Sequence, residues 1–236
     1  MLRALVLRHH HEDRPGLIGE ALEARGFALD VVMMDAVSPT PSVEGYDLLV
    51  ILGSKHAVYD PEVENAWFGR ELEVIGDAHQ RGIAIFGICF GAQALCRYHG
   101  GEVTPSPEPE IGWYQIMAQN NSGLASGPWF EYHYDVCTLP PGAELWATSA
   151  RAVQAFAVGR NVGVQFHPEV DDVQLAEWFV VDDEDARTLG LDPVAILAQT
   201  KRETPAARIR AVELVDLVLG HISKPPAPAA SDAAST

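Results

Sequence analysis

Residues 83–86, Ile-Ala-Ile-Phe, form a near-continuous apolar run that passes straight into Gly87-Ile88-Cys89-Phe90-Gly91-Ala92-Gln93. A strand that is apolar at every position has both faces covered, as in a parallel sheet flanked by helices. The residues that follow are apolar at helical spacing, so the cysteine sits on a sharp strand-to-helix turn. Glycines on either side let the backbone close tightly around it.

The chain before this point repeats the same alternation. Residues 3–7 and 28–33 are short β-rich runs, and Leu17, Ile18, Ala21 and Leu22 recur between them at helical spacing, with Gly26 placed to end the helix. Residues 47–52 form a third apolar strand that runs into the loop Gly53-Ser54-Lys55-His56. Asp60-Pro61 reads as a helix cap and first-turn proline, Val63, Trp67, Val74, Ile75 and Ala78 as the helix's apolar face, and Gly82 as its end. Strand-helix alternation with right-handed crossovers predicts an α/β fold, an open, mostly parallel, doubly wound sheet with helices on both faces.

After Gly101 the pattern changes. Pro105, Pro107 and Pro109 predict a loop, and short strands follow at 112–117, 145–148, 153–158 and 162–166, a smaller antiparallel excursion from the parallel sheet. From Asp171 onward the chain turns helical. A last helix is expected to open at Thr204-Pro205, turn Ile209, Val212, Val215 and Leu219 inward, and end at Gly220. The expected organisation is a single domain over 1–222, of which 171–222 is a helical C-terminal extension. The Pro/Ala/Ser-rich residues 223–236 read as a disordered tail.

The formal net charge of −17 argues against nucleic acid and anionic membranes, which repel an acidic surface. No apolar run reaches the ~20 residues that span a bilayer, and the N-terminus is charged again too quickly for a signal peptide. The 3 cysteines follow no disulfide framework, so a cytoplasmic location is expected. Successive residues in His9-His10-His11 diverge in direction, so the triplet reads as a solvated or site-rim loop and no metal site is expected.

Cys89 at the start of a helix is favoured as thiolate by the helix N-terminus, whose free amides can also serve a developing oxyanion. A cysteine in an apolar stretch is also a common core residue, the reading given to Cys96 and Cys137. Val164-Gln165-Phe166-His167-Pro168-Glu169 ends another strand, and its His and Glu, two residues apart, project to one face. A carboxylate beside an imidazole fixes its tautomer and leaves the other ring nitrogen for a nucleophile.

Gly-Ile-Cys-Phe-Gly-Ala-Gln followed about eighty residues later by Gln-Phe-His-Pro-Glu resembles the class I glutamine amidotransferases, including the glutaminase domain of GMP synthetase and its stand-alone relatives. Val58-Tyr59-Asp60, Ile111-Gly112-Trp113 and Tyr132-His133-Tyr134-Asp135 extend the likeness over roughly residues 1–180. The resemblance implies a flavodoxin-like fold, glutamine as substrate, and hydrolysis to glutamate and ammonia through a thioester. It assigns Cys89 as nucleophile, His167 as general base and acid, and Glu169 as its orienting partner. The backbone N–H groups of Phe90 and Ser54 would form the oxyanion hole, and Gly53, Gln93 and the main chain around His133 and Tyr134 would hold the substrate.

No cofactor is implied, and ammonia transfer would require a separate synthetase or acceptor subunit. The chain departs from the family's Gly-Gly-Pro at Ser54-Lys55 and from its Ser-His-Gly-Asp at Tyr132 and Tyr134. These changes keep open a γ-glutamyl peptidase or hydrolase with the same Cys-His-Glu chemistry, beside a binding or regulatory protein that has lost turnover.

Overall fold

The computed structural model describes residues 1–119 and 121–223, with residues 181–186 described by their backbone alone. Strand β1 (Leu2–Arg8) crosses over through α1 (Gly16–Glu23) to β2 (Phe27–Met33), which pairs with it in parallel. β3 (Leu48–Ile51) pairs with the other edge of β1, and β4 (Ala84–Ile88) pairs with β3, both in parallel. The helical stretch between them runs through α2 (Pro61–Val63), a π-helical turn (Glu64–Phe68) and α3 (Gly69–Gln80). Its start is as expected: the Asp60 carboxylate accepts from the Glu62 N–H, and Pro61 occupies the first turn, where no donor is needed. Helix α4 (Phe90–Tyr98) leaves β4 with only Cys89 between them.

The rest of the chain contributes β5 (Val103–Tyr114), β6 (Met117–Ala118), β7 (Trp129–Cys137), β8 (Glu144–Thr148), β9 (Val153–Val158), β10 (Asn161–Val164), α5 (Asp172–Thr188) and α6 (Pro193–Ile222). Among the described residues the main sheet has the order β2-β1-β3-β4-β10-β9-β8-β6, parallel from β2 to β10 and antiparallel beyond. β5 and β7 form a separate antiparallel pair. This is the mostly parallel, two-sided sheet with an antiparallel excursion that the sequence predicts.

Strand alternation sorts the core into two layers. Ala4, Val6, Leu48 and Val50 pack with Leu17 and Ile18 of α1 and Leu214 and Val218 of α6 on one face. Leu5, Leu7, Leu49 and Ile51 pack with Val74 and Ile75 of α3 and Leu95 of α4 on the other. Each such side chain is almost wholly removed from water, a contribution of about 1.5–3 kcal/mol for each leucine, isoleucine or valine. A third cluster, Ile111, Phe130, Val170, Leu175, Phe179 and Ile196, fastens the β5–β7 pair to α5 and the start of α6. No helix among the described residues is long and apolar enough to cross a membrane.

Three expectations are corrected. The last helix opens at Asp192-Pro193 and not at Thr204-Pro205, and it runs past Gly220 to Ile222. Asp192 caps it, accepting from the N–H groups of Val194 and Ala195 at 2.9 and 3.3 Å, and Pro205 lies inside the helix. The proline leaves the Lys201 carbonyl without its helical donor, but Lys201 is exposed and water can serve that carbonyl.

The proline-rich segment is also no loop. Pro105, Pro107 and Pro109 lie in β5, whose pairing with β7 breaks between Pro105 and Glu110, so the missing donors of Pro107 and Pro109 fall where no ladder bond is required. The strand expected over 112–117 is split between the end of β5 and β6, and β7, which carries Tyr132 to Asp135, was not foreseen. The tail read over 223–236 lies, apart from Ser223, outside the described residues.

Asp192→Ala is expected to cost about 1 kcal/mol, a drop of about 2–4 °C in Tm for a chain of this size. Thermal denaturation checks it. An unchanged Tm would contradict the early helix start.

Candidate active site

In a parallel sheet the carboxyl ends of all strands lie on one edge, which is where open α/β folds bind ligands. Here the residues that follow β1, β3, β4 and β10 meet at that edge. Cys89 has φ 52° and ψ −105°, and it alone among the described non-glycine residues has a positive φ. Such a conformation costs about 1–3 kcal/mol and persists only where the surroundings dictate it. The surroundings are the Cys89 N–H, which donates to the Val164 carbonyl at 2.8 Å, and α4, whose first turn begins at the next residue.

His167 is held from two sides. Its backbone N–H donates to the Phe130 carbonyl at 2.7 Å, and its Nδ1 lies 2.7 Å from Glu169 Oε1. Nε2 is buried with no hydrogen-bond partner. A Cβ placed on Gly53 would fall 2.9 Å from His167 Cε1 and 3.7 Å from Cys89 Cβ, so both side chains crowd the same side of this glycine, and only glycine fits. Burial works to lower the His167 pKa, but the negative charges of Glu169 and Cys89 outweigh it and hold the ring well above the usual imidazole range. The rings of His167 and Trp178 stand nearly perpendicular, with centroids 5.2 Å apart, which helps to fix the imidazole plane.

Cys89 and His167 open into a cavity of about 600 Å³ also lined by Gly53, Ser54, Gln93, His133 and Tyr134. Every residue that the sequence assigned to the site is therefore gathered at one edge: Glu169 stands behind His167, and Phe90 opens α4 beside Cys89. Gln93 is buried and donates to Gln165 Oε1 at 3.2 Å, while Gln165 Nε2 lies 3.5 Å from the Cys89 sulfur. The ring nitrogens of His133 are both occupied, Nδ1 by the Asp135 carbonyl at 2.9 Å and Nε2 by Glu110 at 3.1 Å. Its ring is therefore engaged within the protein rather than held ready for a ligand.

The histidine triplet, read as a solvated or site-rim loop, divides: His10 and His11 fit that reading and His9 does not. His10 lies on the cavity wall and His11 is exposed, but the side chain of His9 is buried, with ring nitrogens 2.8 Å from the Gly53 carbonyl and 2.8 Å from Glu71. Other residues of the site stand in the quoted motifs but were given no role there. Gln165 stands two residues before His167, a spacing that shares a face at a strand end and could have marked it. Tyr59 donates to Asp135 at 2.5 Å across the cavity mouth, and burial together with that carboxylate pushes its hydroxyl up to about 12.

Glu110 and Glu131 flank His133 in the interior, at 3.1 and 3.4 Å. Burial works to raise both carboxyls. In Glu110, hydrogen bonds from His133 and Ser149 prevail and its pKa falls, whereas in Glu131 burial prevails. Burial would lower His133, but the two carboxylates carry it up to about 10. Glu131 stands two residues before His133 on β7, a same-face spacing that could have marked it, whereas Glu110 could not be marked because His133 reaches it from across the β5–β7 pair. Cys96 and Cys137 are buried in the packing, as expected.

Fold and site together define an α/β protein with a thiol, an imidazole and a carboxylate at the sheet's carboxyl edge. The family model for glutamine amidotransferase class-I matches residues 16–176, more than half of the chain, and the chain belongs to that family. It is similar to one subunit of the glutamine-hydrolyzing GMP synthase of Ignicoccus hospitalis, 36% identical over 99 residues that cover 38% of this chain and 53% of that one. A glutamine-hydrolyzing GMP synthase of Aeropyrum pernix is 36% identical over 119 residues, 47% of this chain but 23% of that protein. The chain thus spans about half or less of these relatives. Among solved structures, a glutamine amidotransferase of Thermotoga maritima superposes with a TM-score of 0.82 at 26% identity, covering 92% of this chain and 98% of that one.

The raised pKa of His133 has a consequence for stability. The folded protein holds this proton more tightly than the unfolded chain, so the stabilisation is complete below pH 6.5 and is lost as pH rises toward about 10. The Tm advantage of the wild type over a His133→Gln, Glu110→Gln double variant is therefore expected to shrink across that window. A constant difference in denaturation scans at several pH values would contradict the buried imidazolium.

Proposed function

We propose that this chain hydrolyses the side-chain amide of glutamine to glutamate and ammonia, with Cys89 as nucleophile, His167 as proton carrier and Glu169 as its orienting carboxylate. The observation that carries the reading is the pairing of a strained thiol at the elbow with an imidazole whose Nδ1 is tied to a carboxylate and whose Nε2 is unpartnered. Family membership and the glutamine-hydrolyzing relatives support glutamine as the substrate.

In the proposed reaction the thiolate attacks the γ-carbonyl carbon. The oxyanion is taken by the N–H groups of Phe90 and Ser54, and His167 Nε2 gives its proton to the departing ammonia. The same nitrogen then takes a proton from water as it attacks the thioester, which releases glutamate and restores the thiol. Gly53, Gln93 and the main chain at His133 and Tyr134 hold the amino-acid end of the substrate, and the step needs no cofactor.

We further propose that ammonia passes to a separate synthetase subunit, since similar relatives are named as one subunit of such an enzyme. Residues 1–222 act as one domain in this reading, with α6 covering one face of the sheet, and the free thiols suit a cytoplasmic setting.

One observation favours the γ-glutamyl hydrolase reading as an alternative. A cavity of about 600 Å³ lies well within the ~300–1,000 Å³ of sites for larger ligands, and Tyr134 stands on its wall.

Glutamate release is expected from the purified chain and is expected to vanish in Cys89→Ala. Glu169→Gln is expected to lower kcat by about 10²–10⁴-fold, the usual share of general acid-base catalysis. A lower KM for a γ-glutamyl dipeptide than for glutamine would favour the alternative, and release that persists in Cys89→Ala would rule out both.

A further inference from the structure

His9 and Glu71 form a buried ion pair that the proposed hydrolysis does not use, with side chains 1% and 0% exposed. Burying two charges is costly unless the geometry recovers it, so the pair calls for an account. Nδ1 of His9 lies 2.8 Å from the Gly53 carbonyl oxygen, and Nε2 lies 2.8 Å from Glu71 Oε2. A carbonyl oxygen can only accept, so Nδ1 is the donor whatever charge the ring carries. The ring is also clamped, stacked on Trp67 at 4.9 Å and tilted against Phe90 at 4.8 Å. Trp67 and Glu71 stand four residues apart across the junction of the π-helical turn with α3, so both reach the ring from one helical face.

The object of this clamp is the peptide between Gly53 and Ser54. In a trans peptide the carbonyl and the following N–H point in opposite directions. His9 holds the carbonyl on the side away from the cavity, which Gly53 and Ser54 line and His9 does not. The Ser54 N–H is thereby turned toward the cavity, and among the described residues no group accepts from it. We infer that His9 and Glu71 are positioning residues that lock the Gly53–Ser54 peptide in its oxyanion-binding pose, an inference that rests on the thiol-hydrolase reading above. A hydrogen bond into the carbonyl also polarises the peptide and strengthens its N–H as a donor.

The test uses the full chain and two double variants that leave no orphaned carboxylate: His9→Phe/Glu71→Leu, which keeps the ring stack and removes the donor, and His9→Asn/Glu71→Leu, whose amide nitrogen can occupy the Nδ1 position. The readouts are kcat and KM for glutamine and for γ-glutamyl p-nitroanilide, and the rate of Cys89 alkylation by iodoacetamide. Alkylation is a displacement that forms no oxyanion, so a lost oxyanion donor does not slow it.

The Phe/Leu variant is expected to lose about 10²-fold in kcat, near the ~10²–10³-fold range for one oxyanion donor. Its KM is expected to stay within about threefold, as for an interaction made only in the transition state. Alkylation is expected to stay within about twofold. The Asn/Leu variant is expected to recover at least about tenfold of the lost kcat. A folded Phe/Leu variant with nearly unchanged kcat would overturn the inference, and so would alkylation that falls in step with kcat, which would make the pair a general support. A wild type that turns over neither substrate would instead sink the hydrolase reading itself, before any His9 variant is compared.

Discussion

The closeness of α4 to the sheet is the constraint on which the rest of the site depends. A Cβ on Gly91 would lie 2.2 Å from the Ile51 carbonyl oxygen, and one on Gly87 would lie 2.4 Å from the Gly91 carbonyl oxygen. The helix therefore touches backbone with backbone, and the chain has a single residue, Cys89, in which to turn from β4 into α4. Its left-handed φ follows from that geometry and is retained because the packed helix and sheet on either side leave no other path. The same closeness places the free N–H groups of the first turn of α4 directly beside the sulfur.

Around this turn the cavity is backed by three buried imidazoles, each paired with a carboxylate: His9 with Glu71, His133 with Glu110, and His167 with Glu169. Each pair joins a different part of the fold to the site. His9 ties β1 and α3 to the loop after β3, His133 ties the two strands of the β5–β7 pair, and His167 gathers the end of β10. Paired charges inside a protein stabilise folding little, because desolvation offsets attraction. Their effect is to fix direction, and a hydrolytic site of the proposed kind depends on direction more than on stability.

Much of this was legible in the sequence for a simple reason. The strands and helices that position Cys89 and His167 are defined by local periodicity, and the chemistry is written in two short segments at strand ends. The elbow, the His-Pro-Glu turn and the alternation of strand and helix follow from residues within a few positions of one another. What was missed depends on distance in sequence. Glu71 reads as a lone polar residue on the apolar face of its helix until the segment after β1 brings His9 against it, and β7 reads as irregular until β5 pairs with it. The prolines of β5 were misread because a loop and an unpaired stretch of edge strand require the same thing, a backbone that needs no donors. Pro205 was misread because the proline rule for helix starts also fits Pro193, which has the better cap in Asp192.

Ser54 is where sequence and structure bear on each other most closely. In place of a second glycine the loop has a residue with less backbone freedom, which by itself suggests a peptide less able to swing into an oxyanion-binding pose. The structure supplies the other half of the comparison: the Ser54 hydroxyl accepts from the His56 N–H at 3.2 Å, while the preceding carbonyl is held by His9. A loop pinned on both sides of one peptide has little use for a glycine's range of motion. Lost flexibility matters only where the required pose must be reached from another one, and here the hydrogen bonds on either side already select it. Under the proposed reading, the departure at Ser54 exchanges a hole formed by motion for one formed in advance, which costs no reorganisation when the oxyanion develops.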